Sequence, residues 1–201
     1  MVKVGVLVSG GGTNLQALID ARERGALPSC ELVLVVSNKP DAFALTRARR
    51  AGIPAVVVDN RDYPDRESFD RALLGVMRAH DVQFVVYAGF LRILGTAFTD
   101  AFKGRMINVH PALLPAFGGK GFYGLHVHRA ALEAGVKVTG ATVFLVNEVC
   151  DGGEILLQKA VDVREGDTPE TLQKRVMEEA EQVILPKATE LCCRRILEEK
   201  A

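Results

Sequence analysis

The run Val2 to Val8, VKVGVLV, is apolar at nearly every position. A strand with one wet face alternates polar and apolar residues, whereas a strand covered on both faces does not. This chain must therefore bury a strand inside a sheet that carries layers on either side. Ser9-Gly10-Gly11-Gly12-Thr13-Asn14 follows at once, and then Leu15, Ala17, Leu18 and Ala21 recur at helical spacing. The order is strand, glycine loop, helix, the opening unit of an α/β fold.

The rhythm repeats. Glu31–Ser37, Ala55–Val58, Gln83–Ala88 and Met106–Val109 read as strands. Helical patterns lie between them: from Asp41 or Ala42 to Ala51, from a cap at Asp65 to about His80, and from Gly95 to Phe102. Such alternation predicts a doubly wound, mostly parallel sheet flanked by helices, with right-handed crossovers. The second half departs from it. A glycine-rich loop, Pro115–Gly124, leads to a helix over His126–Ala134. Val136–Val146 and Glu154–Val163 follow as strands with only a turn-rich loop between them, predicting an antiparallel pair at the sheet edge. Thr168 begins a C-terminal helical region, which Pro186 is expected to kink or split. With 201 residues and 48% hydrophobic content, a single domain over 1–201 is expected, its halves meeting near residue 105.

Glycines let the backbone of Gly10 to Gly12 turn tightly and present its N–H groups, and the helix N-terminus that follows favours an anion. Thr13 or Asn14 is placed to cap that helix or to bond the same anion. No Lys follows, so this is not a Walker loop, and Leu15 stands where a GxGxxG motif needs its last glycine. A single phosphate suits the short loop better than a dinucleotide. The plainer alternative is a tight strand-to-helix turn with no ligand.

Partners are bounded by charge and cysteine. Lys and Arg total 25, Asp and Glu total 25, and no like-charge block stands out. That balance advertises neither a nucleic-acid surface nor an anionic membrane partner. Apolar runs are strand-length, Met-Val-Lys leads directly into a strand, and no signal peptide is expected. Cys30, Cys150, Cys192 and Cys193 show no CxxC spacing, so reduced thiols and a cytoplasmic location are expected. Small-molecule substrates are the expected partners, with the chain a monomer or a homodimer.

The polar chemistry concentrates in MINVHPALLP, Met106 to Pro115. On a strand, Asn108 and His110 point to one face, a donor amide beside an imidazole at the sheet's carboxyl edge. The bland alternative is a strand-end pair bonded to local backbone. Asp151 lies in Cys150-Asp151-Gly152-Gly153, which also suits a plain turn. If it reaches His110, its carboxylate favours the charged imidazole and can relay a proton. His126 and His128, two apart on a helix, point about 200° apart and cannot chelate together. No metal site is expected. Arg66 and Arg92 each follow a loop on the carboxyl side of the sheet, placed to meet an anion.

Taken together, VLVSGGGTNLQALID, VVSNKPDAFALTRARRAGIP, YPDRESFD, AGFLRIL, MINVHPALLP, GLHVHRAAL, TGATVFLV, the DGG loop and ILLQKAVDV resemble the glycinamide ribonucleotide formyltransferases nearly end to end. This is a folate-dependent family of purine biosynthesis. The resemblance implies the formyltransferase fold and transfer of a formyl group from 10-formyltetrahydrofolate, the co-substrate, to the ribonucleotide amine. It assigns Asn108, His110 and Asp151 to catalysis, and Gly12, Thr13, Asn14 and Glu181 to the ribonucleotide. Arg66, Leu91, Arg92, Ile93, Leu94 and Asn108 fall to the folate. It makes the first half the phosphate-binding half and the second the catalytic and folate half. Two departures stand out. Gly118 to Tyr123 is an insertion, and Phe144 replaces a common His. The competing readings are a formyltetrahydrofolate hydrolase, a tRNA or sugar formyltransferase, and a non-catalytic phosphate-binding module.

Overall fold

The computed structural model describes residues 1–199. Seven strands form one sheet in the order β3-β2-β1-β4-β5-β6-β7. These are β1 (Val2–Val8), β2 (Cys30–Ser37), β3 (Ala55–Val57), β4 (Phe84–Tyr87), β5 (Met106–His110), β6 (Val138–Leu145) and β7 (Ile155–Asp162). The first five are parallel neighbours, and β5-β6-β7 run antiparallel. Both sequence expectations, the parallel doubly wound sheet and its antiparallel edge, are met.

The β1 run is covered on both faces, as its composition requires. Val2, Val4, Val6 and Val8 pack with α1 (Thr13–Glu23), α2 (Phe43–Arg50), α6 (Pro169–Val176) and α7 (Gln182–Glu198). Leu7 faces the other layer, where α3 (Arg66–Ala79) and α4 (Thr96–Ala101) place Phe69, Leu73, Met77 and Phe98. The remaining helix, α5, spans Leu125–Glu133. Local capping follows the sequence in two places. Asp65 accepts the Ser68 N–H at 2.7 Å and opens α3. Thr168 and Thr171 form a reciprocal capping box with Pro169 in the first turn, opening α6.

Two local expectations are corrected. Neither Thr13 nor Asn14 caps α1. Gly12 holds the cap position in the left-handed conformation, φ 72° and ψ 35°, with no side-chain cap bond. A capping side chain needs an extended cap residue. The loop instead turns left-handed there, which glycine alone does without cost. Pro186 does not split the last helix and lies within α7. The irregularity sits upstream, as a π-helical turn over Met177–Glu181 that joins α6 to α7. Proline has no N–H to give residue 182 and its ring crowds that carbonyl, yet α7 runs on through Pro186.

The chain runs β1, β2, β3 outward and then returns to β4 on the other side of β1. That reversal makes β1 and β4 the topological switch point, where open α/β sheets leave a crevice outside their carboxyl ends.

Candidate active site

The candidate site residues fall into three groups, near the ends of β5, β1 and β4. Asn108 and His110 end β5; their partners on β6 are Phe144 and Thr142. Residues directly opposite in an antiparallel pair share a face, so Phe144 stands beside Asn108 and is buried. Thr142 donates to the Ala112 carbonyl at 2.7 Å and accepts from the Leu114 N–H at 3.0 Å. Gln158 on β7 donates to the Leu114 carbonyl at 2.9 Å and to Thr142 at 3.0 Å. This set, centred on the buried Thr142, holds the loop that leaves His110. Leu114-Pro115, within that loop, is cis.

Asp151 does reach His110. Its Oδ2 lies 3.5 Å from the imidazole Nδ1, and both side chains are largely buried. The other ring nitrogen, Nε2, is 2.7 Å from the carbonyl oxygen of Phe117. Both ring nitrogens thus face oxygen acceptors, and a ring carrying two protons satisfies both. The Phe117 carbonyl also fixes the tautomer of the singly protonated ring, with its proton on Nε2 and Nδ1 turned to Asp151. Asp151 Oδ2 accepts the Gly119 N–H at 2.9 Å. The Gly118–Tyr123 segment, whose role the sequence left open, therefore runs along the His110–Asp151 pair. A Cβ on Gly118 would overlap Leu114 and come within 3.6 Å of the Asp151 Cβ. The DGG loop is equally tight, since a Cβ on Gly153 would overlap the Leu145 carbonyl.

A second cluster forms at the β1 end. Asn14 Nδ2 donates to Glu181 Oε2 at 2.8 Å across 167 residues of sequence, and both are buried. Burial pushes the Glu181 carboxyl above the usual carboxylate range, partly offset by the Asn14 amide. Asn14 Oδ1 is buried with no donor among the described residues. Glu181 closes the π-helical turn, a distortion frequent at functional sites. Gly12 and Thr13 lie beside this pair in the chain, at the start of α1.

The third group follows β4. Leu91 and Ile93 are exposed, at 61% and 65%, while Leu94 is buried and anchors the segment. The Leu91 N–H donates to Ser9 Oγ at 2.9 Å, and Ser9 donates in turn to Asn38 Oδ1 at 2.6 Å. Arg92 is exposed here, and Arg66 is the first residue of α3. Both lie near Asp70, whose carboxyl is raised by burial and pulled back by the Gly95 N–H and by the two guanidinium charges. Asp70 Oδ2 accepts that N–H at 2.6 Å.

Sequence reading did not single out Ser9, Asn38, Asp70, Gln158 or His128 as parts of the site. Only Asp70 carried a signal, four residues after Arg66 on one helix face. His128 is fully buried on α5, and neither ring nitrogen has a partner among the described residues. Burial, and secondarily the charge of nearby His110, lowers its pKa to about 4. His126 is exposed, so the two histidines do point apart.

Comparison with known proteins agrees with this geometry. The formyl transferase family pattern matches residues 2–189. The chain is 46% identical over 190 residues to the trifunctional purine biosynthetic protein adenosine-3 of Gallus gallus, covering 94% of this chain and 18% of that protein. It is 40% identical to the chloroplastic phosphoribosylglycinamide formyltransferase of Arabidopsis thaliana, covering 96% of this chain and 66% of that one. Among solved structures, glycinamide ribonucleotide transformylase 1 from Symbiobacterium toebii superposes with a TM-score of 0.90 at 45% identity, covering 96% of this chain and 88% of that chain. With a sheet of this topology, a His–Asp pair beside Asn108 and a match along almost its whole length, the chain belongs to the formyl transferase family, on its phosphoribosylglycinamide formyltransferase branch.

Proposed function

We propose that this chain transfers a formyl group from 10-formyltetrahydrofolate to the amine of glycinamide ribonucleotide, giving formylglycinamide ribonucleotide and tetrahydrofolate. The observation that carries the reading is the buried His110–Asp151 pair at the end of β5, beside Asn108 and on the sheet edge shared with the glycine loop. A transfer needs two ligands side by side, and the switch point offers that crevice.

The residue types suit the chemistry. The amine forms its bond to the formyl carbon as the carbonyl electron pair moves to oxygen. Asn108 donates to that oxygen in the manner of an oxyanion-hole side chain. His110, held by the Phe117 carbonyl, presents a protonated Nδ1, and Asp151 balances its charge. The attacking nitrogen gives up a proton to Asp151, directly or through a water. The folate nitrogen takes a proton from His110 as its bond to carbon breaks. The proton count closes, and His110 is recharged through Asp151. Gly12, Thr13 and Asn14 would hold the ribonucleotide phosphate at the helix N-terminus, and Glu181 would meet the sugar through the oxygen that Asn14 leaves free. The exposed Leu91 and Ile93 fit an apolar pteridine, and Arg66 and Arg92 fit the acidic end of the folate. Small molecules are thus the partners, and four free cysteines suit action in the cytoplasm.

The test is turnover by purified protein, followed as tetrahydrofolate release with and without glycinamide ribonucleotide. Release that requires the ribonucleotide is expected. Release at the same rate without it would make the protein a hydrolase, and no release in either case would refute the transfer.

A further inference from the structure

We propose that Arg47, on α2, is a positioning residue for the phosphate loop, shaping it from behind without touching the ligand. The inference deepens the functional reading above and rests on its phosphate site.

The glycine loop is braced from one side by α2. Arg47 Nε donates to the Gly11 carbonyl at 2.8 Å, and Arg47 Nη1 donates to Gln16 Oε1 at 2.9 Å. The backbone N–H of Ala44 donates to the Gly10 carbonyl at 3.0 Å. In a trans peptide the C=O of one residue and the N–H of the next point opposite ways. Pinning the Gly10 and Gly11 carbonyls toward α2 therefore aims the N–H groups of Gly11 and Gly12 away from it. Consecutive N–H groups aimed one way make an anion-binding concavity, and it continues into the unpaired N–H groups at the start of α1. The first helical bond, Gln16 N–H to the Gly12 carbonyl at 2.9 Å, comes only after that stretch.

The brace is close-fitting. A Cβ on Gly12 would lie 2.6 Å from the Ala44 Cβ, 2.8 Å from the Ala44 Cα and 3.4 Å from the Arg47 Cδ. The guanidinium is itself held, with its Cζ 5.0 Å from the Phe43 ring centroid. Among these contacts, Arg47 is the one whose side-chain donors fix a peptide of the loop. Without it the Gly11–Gly12 peptide is free to rotate, as glycine peptides readily do, and the loop must be reordered each time an anion binds.

The test uses Arg47→Met, which keeps the stem and removes the donors, and Arg47→Lys, which restores one donor. Each is assayed for KM toward glycinamide ribonucleotide and toward 10-formyltetrahydrofolate, for kcat, for melting temperature, and for competitive inhibition by inorganic phosphate. For Arg47→Met, the ribonucleotide KM and the phosphate inhibition constant should both rise about tenfold, the scale of one charge-assisted hydrogen bond. The folate KM and kcat should stay within about twofold, the split that marks lost uniform binding of one substrate. Arg47→Lys should recover most of the loss. Unchanged ribonucleotide and phosphate values in Arg47→Met, an equal rise for both substrates with a lowered melting temperature, or no recovery in Arg47→Lys would each overturn the assignment. Failure of inorganic phosphate to compete with the ribonucleotide in the unaltered protein is a separate result, and it would remove the phosphate site itself.

Discussion

Single residues decide the chemistry through conformation as much as through functional group. Asp151 sits at φ 53°, in the left-handed region. Asparagine tolerates that region better than most residues, so Asp151→Asn removes the charge while keeping the backbone, whereas alanine would disturb both. Turnover should fall about a hundredfold or more, the scale of general acid–base contributions. His110→Asn should lose a similar amount. If the 3.5 Å pair acts as one unit, the double variant loses far less than the product of the single losses. Losses that multiply would separate the two residues and end the shared mechanism. Gly12 is a second such position. Alanine there meets both φ 72° and the overlap with Ala44, while a Cβ on Gly11 would have nothing within 4 Å and no left-handed backbone to strain. Left-handed strain alone costs about 1–2 kcal/mol. Gly12→Ala should therefore lower the melting temperature by at least roughly 2–4 °C, the shift per kcal/mol in a domain of this size. Gly11→Ala should melt with the unaltered protein, and equal melting of all three would remove the conformational argument.

At the scale of elements, loops from different strands act together because one hydroxyl joins them. Ser9 follows β1 and precedes the glycine loop; it accepts from Leu91 after β4 and donates to Asn38 after β2. Asn38 Nδ2 then donates to Asn60 Oδ1 at 3.0 Å. Ser9→Ala leaves buried polar atoms unpaired, at about 1–3 kcal/mol for such a group, and frees the Leu91 to Leu94 segment. Urea unfolding should show that loss, and the KM for 10-formyltetrahydrofolate should rise severalfold. Unaltered stability and KM would mean the bond carries nothing. A crystal structure with a folate analogue checks the same segment, with the pterin expected between Leu91–Leu94 and the loop after β6; density elsewhere would sink that placement. None of this tie was legible in the sequence, because a serine beside three glycines looks like turn chemistry until β2 and β4 are set beside β1. The strands were legible, since burial on both faces leaves unbroken apolar runs such as Val2–Val8. The Asn108 and His110 face was legible from strand periodicity alone, and the contact with Asp151 was not, because it depends on how the loop after β6 returns. Asn14 and Glu181 meet because the π-helical turn that carries Glu181 packs against α1, and that turn lies upstream of the proline seen in the sequence.

For the whole molecule, His128 links the surroundings of His110 to stability. A fully buried imidazole without partners resists protonation, and its pKa falls from 6.5 to about 4, burial acting first and the charge of His110 second. Between those values the unfolded chain binds a proton that the folded chain refuses. Stability therefore rises with pH across that window and is lost as pH falls from about 6.5 to about 4. The full difference is about 3 kcal/mol, from roughly 1.4 kcal/mol per pKa unit. Glu181 works in the opposite sense. Its carboxyl is raised by burial, so its contribution is present at low pH and lost as pH rises from its unfolded value through its folded one. Asp167, held down by Arg175, has its window below the ordinary carboxylate range and is separable from both. His128→Leu isolates the histidine, since leucine carries no proton and leaves no orphaned ring nitrogen. Unfolding in urea at pH 7.5, 5.5 and 4.5 should show the unaltered protein losing ground to His128→Leu at each acid step, by about 3 kcal/mol at the limit. Parallel losses in the two proteins would show that His128 titrates normally. Function follows from the same neutrality. A proton on His128 would place a second positive charge in the surroundings of His110, and burial keeps that proton off.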